Sequence, residues 1–90
     1  PKVLNTLIVG ATSSIGLSTT RAFVDAGHRV LATSRKETTR LQDPRITWSD
    51  LDLTSASSIE VFSTSAVPSF GPLDVVVVVA GILPETTSRL

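Results

Sequence analysis

Cysteine is absent from the 90 residues, so neither a disulfide framework nor a thiolate metal site can be built. An excess of charge of either sign is also missing, because eight Lys and Arg balance eight Asp and Glu. That balance removes the electrostatic basis for binding nucleic acid or an anionic membrane surface. No apolar run approaches the ~18–20 residues of a membrane span. The opening residues, Pro1-Lys2, lack the charged and apolar regions of a secretory leader. These absences together lead to the expectation of a cytoplasmic protein. What is present is a hydrophobic fraction of 41%, ordinary for a globular fold, so disorder is not expected. The length suits one small domain over residues 1–90, burying roughly 60–65% of its unfolded surface.

The chain is organised around Asn5 to Gly16, N-T-L-I-V-G-A-T-S-S-I-G. The apolar run Leu7-Ile8-Val9 is strand-like, Gly10 to Ser14 is a turn of small residues, and Ile15-Gly16 opens a segment with helical spacing. The first N–H groups of a helix have no intrahelical partner and carry partial positive charge. Strand, glycine-rich turn and helix start in that order therefore suit the pyrophosphate of a dinucleotide. A side chain at Gly10 would obstruct close approach of the backbone, and Gly16 lets the helix pack tightly on the strand. A plain βα turn that binds nothing has the same outline.

Downstream, Ile15, Thr19, Ala22, Phe23 and Ala26 recur at helical spacing and predict one inward stripe for a first helix. Gly27 suits the left-handed position just past its end. Arg29 to Thr33 is expected to be a second, buried strand. The polar stretch Ser34 to Arg45 has room for at most one helical turn, around Glu37–Leu41. Ile46 to Ser49 predicts a third strand, rich in β-branched and aromatic residues. Ala56, Ile59, Phe62 and Ala66 define a second amphipathic helix. Thr54 is one candidate cap for it, and Ser57 with Glu60 in a capping box is another. Pro68 and Gly71-Pro72 then mark a loop. Leu73 to Val79 holds a continuous run of valines, Val75 to Val79, predicting a central parallel strand covered on both faces, which Ala80-Gly81 ends. The alternation is that of a doubly wound α/β fold.

Four motifs taken together resemble the N-terminal part of the short-chain dehydrogenase/reductase family. The first is Val9-Gly10-Ala11-Thr12-Ser13-Ser14-Ile15-Gly16, similar to the family's T-G-x-x-x-G-x-G, with Ser14 in place of the middle glycine and Val9 in place of the threonine. The second is Ala32-Thr33-Ser34-Arg35. Family members that use NAD carry an acid for the adenosine ribose at the position of Ser34. A neutral Ser34 followed by Arg35 and Lys36 removes that charge and adds a guanidinium that can grip a phosphate. The third is Asp52-Leu53-Thr54, similar to the family's D-V/L-T, whose acid accepts from the adenine amino group. The fourth, Asp74-Val75-Val76-Val77-Val78-Val79-Ala80-Gly81-Ile82, resembles D-x-L-V-N-N-A-G-I with both asparagines replaced, by Val78 and Val79.

The resemblance implies a Rossmann-like parallel sheet of about four strands in the order 3-2-1-4, incomplete at the Val75–Val79 edge. It implies NADP as cofactor, with NAD the less favoured choice. Gly10, Thr12, Ser13, Ser14, Ile15 and Gly16 would surround the pyrophosphate, and Ser34 and Arg35 would meet the 2′-phosphate. Asp52 and Leu53 would meet the adenine, and Ala80 and Gly81 the ribose side. Two blander alternatives stand beside this reading: Asp52 as a helix-capping acid, and Arg35 with Lys36 as a solvated loop.

The family's chemistry requires a Tyr-x-x-x-Lys pair, and the sequence has no tyrosine. No residue is therefore assigned a catalytic role. His28, the single histidine, is expected to be an exposed turn residue. Asp50 and Asp52 are expected to serve capping and solvation rather than to bind metal, and Trp48 to belong to the core or to cover the sheet edge. The expected function is the NADP-binding portion of an oxidoreductase that moves hydride between NADP(H) and a carbonyl or alcohol. The alternatives are a non-catalytic nucleotide-binding or protein-interaction module and a structural fragment that binds nothing. The open edge is expected to be completed by a further C-terminal half or by a homo-oligomer.

Overall fold

The computed structural model describes residues 2–35 and 39–79. Its elements in order are β1 (Asn5–Val9), α1 (Ser14–Asp25), β2 (Arg29–Ser34), β3 (Ile46–Asp50), α2 (Ala56–Val61), a π-helical turn (Phe62–Ala66), α3 (Val67–Phe70) and β4 (Val75–Val78). The strands form one sheet in the order β3-β2-β1-β4. Every pairing is parallel, with Leu7 opposite Leu31 and Val76, and Ala32 opposite Trp48. The fold class and strand order expected from the sequence are those observed.

Paired residues of a parallel ladder share a face, and successive residues alternate between faces. Ile8, Val30, Ala32 and Ile46 accordingly line one side with Ala11 and with Val24 of α1. Leu7, Leu31 and Leu51 line the other with Phe62 and Phe70. Both faces of β1 and β2 are thus covered, which is why their sequences show no polar alternation.

The inward stripe of α1 is rotated from its expected position. The buried residues are Gly16, Thr20 and Val24, whereas Ile15 is 68% exposed and Ala22 and Ala26 are also exposed. Gly16 sets the phase. A Cβ there would lie 2.2 Å from the Gly10 carbonyl oxygen and 2.9 Å from Ala11 Cα, so only glycine can face the turn. Positions four and eight residues later follow it inward. Gly27 closes the helix at φ 90°, as expected.

The second helical region also differs from expectation. Its N-cap is Ser55, whose hydroxyl accepts from Ser58 N, rather than Thr54 or Ser57. Ala56 and Ile59 are exposed, and the buried anchors are Phe62 and Phe70. Pro68 does not end the helix but lies inside α3. Proline has no N–H to donate and crowds the carbonyl four residues back. Just ahead of it, Val67 N donates to Phe62 O, five residues back, and this widened turn carries the helix through to Phe70. Thr39 to Asp43 contains no helical turn, and residues 36–38 lie outside the described set.

β4 is not the central, doubly covered strand that its valines suggested. It is an edge strand among the described residues. Val77 and Val79 pack on the α1 side, but Val76 and Val78 remain 55% and 61% exposed. The helical unit of residues 56–70 packs against Leu7, Leu31 and Leu51 and leaves this side of β4 bare. His28 is half-buried rather than exposed. Its Nδ1 accepts from Leu4 N at 3.0 Å and its ring meets Phe23 with centroids 5.9 Å apart. Trp48 is half-buried against the α1 layer at the β3 edge, as expected.

Candidate functional site

Parallel strands bring all their C-terminal ends to one edge of the sheet, and ligands of open α/β sheets bind there, where the strand order reverses. In the order β3-β2-β1-β4 the reversal falls between β1 and β4. Gly10 leaves β1 at this point with φ 83°. A Cβ on Gly10 would lie 2.4 Å from the Val79 carbonyl oxygen. The neighbouring strand, before any ligand is considered, already demands glycine here.

The turn is held from two sides. Gly10 N donates to Thr33 Oγ1 and Ala11 N to Thr33 O, at 3.3 and 3.0 Å. The buried Thr33 hydroxyl in turn reaches Ile8 O at 3.4 Å. Ser13 then caps α1, its Oγ accepting from Gly16 N at 3.0 Å and donating to Gly10 O at 3.2 Å. Its hydroxyl is therefore spent on the turn itself. This role of Thr33 is not visible in the sequence, since a threonine near a strand end carries no spacing signal.

Ser14 and Ile15 are the first residues of α1 and are exposed. Their N–H groups belong to the set that has no intrahelical acceptor. No residue other than glycine has positive φ among those described, so Ser14 replaces the family's middle glycine without backbone strain. Its hydroxyl stands beside the helix N-terminus, where an anion is favoured. Thr12 is half-buried in the same turn.

One strand over, Ser34 closes β2 and Arg35 follows, exposed at the surface. Ser34 is itself 5% exposed. Its Oγ accepts from Arg40 Nε at 2.7 Å and donates to Arg35 O at 3.1 Å. Arg40 also pairs with Asp50 at the end of β3, and its guanidinium carbon lies 5.4 Å from the centre of the Trp48 ring. In the sequence Arg40 is one of several polar residues, and nothing in its spacing foretells that it folds back onto Ser34.

Beyond β3, Asp52 accepts from Thr54 N at 2.9 Å and from Thr54 Oγ1 at 2.6 Å. Those two bonds, the hydroxyl first, hold its carboxyl below the usual range, and the charge of Arg35 adds to the effect. Asp52 is thus a stable anion that braces the entry to α2, while the cap itself is Ser55. Leu53 beside it is 58% exposed, an apolar side chain open to a flat ring. Ala80, Gly81 and Lys36 lie outside the described residues. No group of three or more His, Cys, Asp or Glu is placed to hold a metal among the described residues.

The sheet edge therefore presents, in sequence of strands, an acceptor and an apolar side chain after β3, a guanidinium after β2 and a helix N-terminus after β1. Groups of these kinds along one strand-end edge make it a candidate crevice for an elongated dinucleotide. A groove of about 260 Å³ elsewhere, between β3 and α3, offers Arg29 as its charged group. That guanidinium is already committed to Asn5 Oδ1 and Phe70 O, so the strand-end crevice is the better site.

Comparison with known proteins agrees with this fold. A family model described as short chain dehydrogenase matches residues 4–90. The NADP-dependent 3-hydroxy acid dehydrogenase YdfG of Escherichia coli is 33% identical over an alignment of 82 residues that covers 84% of this chain and 33% of the relative. The crystal structure of a serine dehydrogenase from Escherichia coli superposes with a TM-score of 0.68 at 26% identity, covering 81% of this chain and 36% of that one. The Bordetella bronchiseptica enzyme WbmH, solved in complex with NAD+, shares the fold at a TM-score of 0.64 and 17% identity, covering 88% of this chain and 26% of that one. The chain spans about a third of the length of the curated relative described here. Its fold, its strand-end crevice and the family match over residues 4–90 place it in one group: the chain belongs to the short chain dehydrogenase family.

Proposed function

We propose that these residues form the NADP-binding portion of an oxidoreductase that transfers hydride between NADP(H) and a carbonyl or alcohol. The observation that carries the preference for NADP is the end of β2, where a neutral Ser34 precedes the exposed Arg35. A carboxylate at that point would repel a 2′-phosphate, whereas a guanidinium can hold it with two parallel hydrogen bonds. The NADP dependence in the name of the Escherichia coli relative supports the same choice.

When bound, the cofactor supplies the hydride chemistry. The work assigned to this chain is placement. Ser14 and Ile15 N–H groups, together with the Ser14 hydroxyl and Thr12, hold the pyrophosphate, and Ser13 and Gly16 shape the turn beneath it. Asp52 accepts from the adenine amino group and Leu53 covers the ring. Ala80 and Gly81 are proposed for the ribose side on the family pattern. No proton transfer is assigned here, and the catalytic pair of the family is proposed to lie outside these 90 residues. A non-catalytic module has one observation in its favour, the valines at 78 and 79 where the family has asparagines.

Calorimetric titration with NADP and with NAD tests the reading. NADP should bind tighter, and Arg35→Ala should weaken it by roughly 10- to 100-fold, the worth of one charge-assisted contact, with NAD unaffected. Equal affinity for the two cofactors, or equal losses in the variant, would overturn the assignment.

A further inference from the structure

We infer that Arg40 is a second recognition group for the 2′-phosphate, held in reserve by Asp50; this rests on the NADP reading above. Its head group is already on the Ser34 hydroxyl, with Nε 2.7 Å from Oγ, so it stands at the residue that precedes Arg35, the group assigned to that phosphate. Three contacts keep it there. Nη2 pairs with Asp50 Oδ1 and approaches Ser34 O, and the guanidinium lies over the Trp48 ring. Trp48 Nε1 also donates to Leu41 O at 3.0 Å, fixing the backbone next to Arg40. The placement is therefore built in before any ligand arrives.

The charges explain why the pair matters. Among the described residues, Arg40 pairs with Asp50 and the charge of Arg35 acts on Asp52, so each guanidinium at this edge has a carboxylate near it. Asp50 is half exposed, its side chain at 53% against 23% for Arg40, and an exposed pair of this kind is held weakly. A phosphate offers more negative charge and a geometry that suits a guanidinium fork. It can take Arg40 from Asp50, while Trp48 and Ser34 keep the group in place. Asp50 then acts as an internal competitor: its displacement subtracts from the affinity that the 2′-phosphate gains, and ligands without that phosphate leave the pair untouched.

The test compares 2′,5′-ADP with 5′-AMP, which differ only in the 2′-phosphate, by calorimetry on the full protein. Asp50→Asn should tighten 2′,5′-ADP about three- to tenfold and leave 5′-AMP unchanged. Arg40→Gln should weaken 2′,5′-ADP about tenfold or more with 5′-AMP again unchanged, and Arg40→Lys should recover part of the loss. Equal weakening of both nucleotides by Arg40→Gln would reduce Arg40 to a structural clamp and overturn the inference. If Arg40→Gln does not fold, the isosteric Asp50→Asn decides alone, and no tightening overturns it. A wild-type preference for 2′,5′-ADP that is lost in Arg35→Ala but kept in Arg40→Gln leaves the NADP reading standing and removes this one. No wild-type preference removes both.

Discussion

Gly16→Ala should destabilise the protein although it replaces glycine with the best helix former. In an exposed helix interior that exchange is worth about 1 kcal/mol in favour of alanine. At position 16 the new Cβ would stand 2.2 Å from Gly10 O and 2.9 Å from Ala11 Cα. Both atoms belong to the backbone of the glycine turn, so no side chain can swing aside. Relief requires α1 to move off the turn, which strains the Ser13 cap on Gly16 N and loosens the Val24 contact with the core. Overpacking of this kind costs roughly 1–3 kcal/mol, and with a backbone clash a net loss near the upper half, ~2 kcal/mol, is expected after the propensity gain is subtracted. For a domain of this size that corresponds to a fall in Tm of about 10 °C. Circular dichroism melting is the assay, with Ser18→Ala on the exposed side of the same helix as the control, expected to raise stability by a few tenths of a kcal/mol. A neutral or stabilised Gly16→Ala would refute the claim that α1 is pressed against the turn.

Two further outcomes follow from single groups. Asp43 is held at about 2 by the Arg45 guanidinium and then by Arg45 N–H, below its unfolded value, so its contribution to stability is complete above pH ~4 and is lost as the pH falls toward 2. Urea unfolding at a series of pH values should show that acid slope shrink in Asp43→Asn, and an unchanged slope would mean that the Asp43–Arg45 pair is not formed. Thr6 Oγ1 is buried without a hydrogen-bond partner among the described residues, so Thr6→Val should stabilise by about 1 kcal/mol; a loss of similar size in the urea midpoint would show that the hydroxyl is satisfied.

Much of this protein was legible in its residues. Apolar runs of strand length, spaced by segments of helical period, set the α/β class and the parallel sheet, because a strand buried on both faces must be apolar throughout. The glycine turn at residues 10–16 and the Ser34-Arg35 step pointed to the strand-end crevice, because local chemistry at a strand end does not depend on what packs elsewhere. The buried face of α1, by contrast, was decided by Gly16 against Gly10 O, a close approach to backbone that no hydrophobic period records. The same holds for the helix through Pro68, which depends on the π turn before it, and for the Ser55 cap, one of several hydroxyls in its stretch and the one that accepts from Ser58 N. The Val run of β4 showed what the strand is made of, but which of its faces is covered depends on the reach of the helices at residues 56–70. Arg40 makes the distinction plainest. Its residue type and its place in a polar stretch were visible from the start, yet its partners Ser34, Trp48 and Asp50 come together only when β2 and β3 pair in register. Short-range pattern determined the strands, the turn and the place of the crevice; contacts between residues distant along the chain decided which groups in that crevice touch one another.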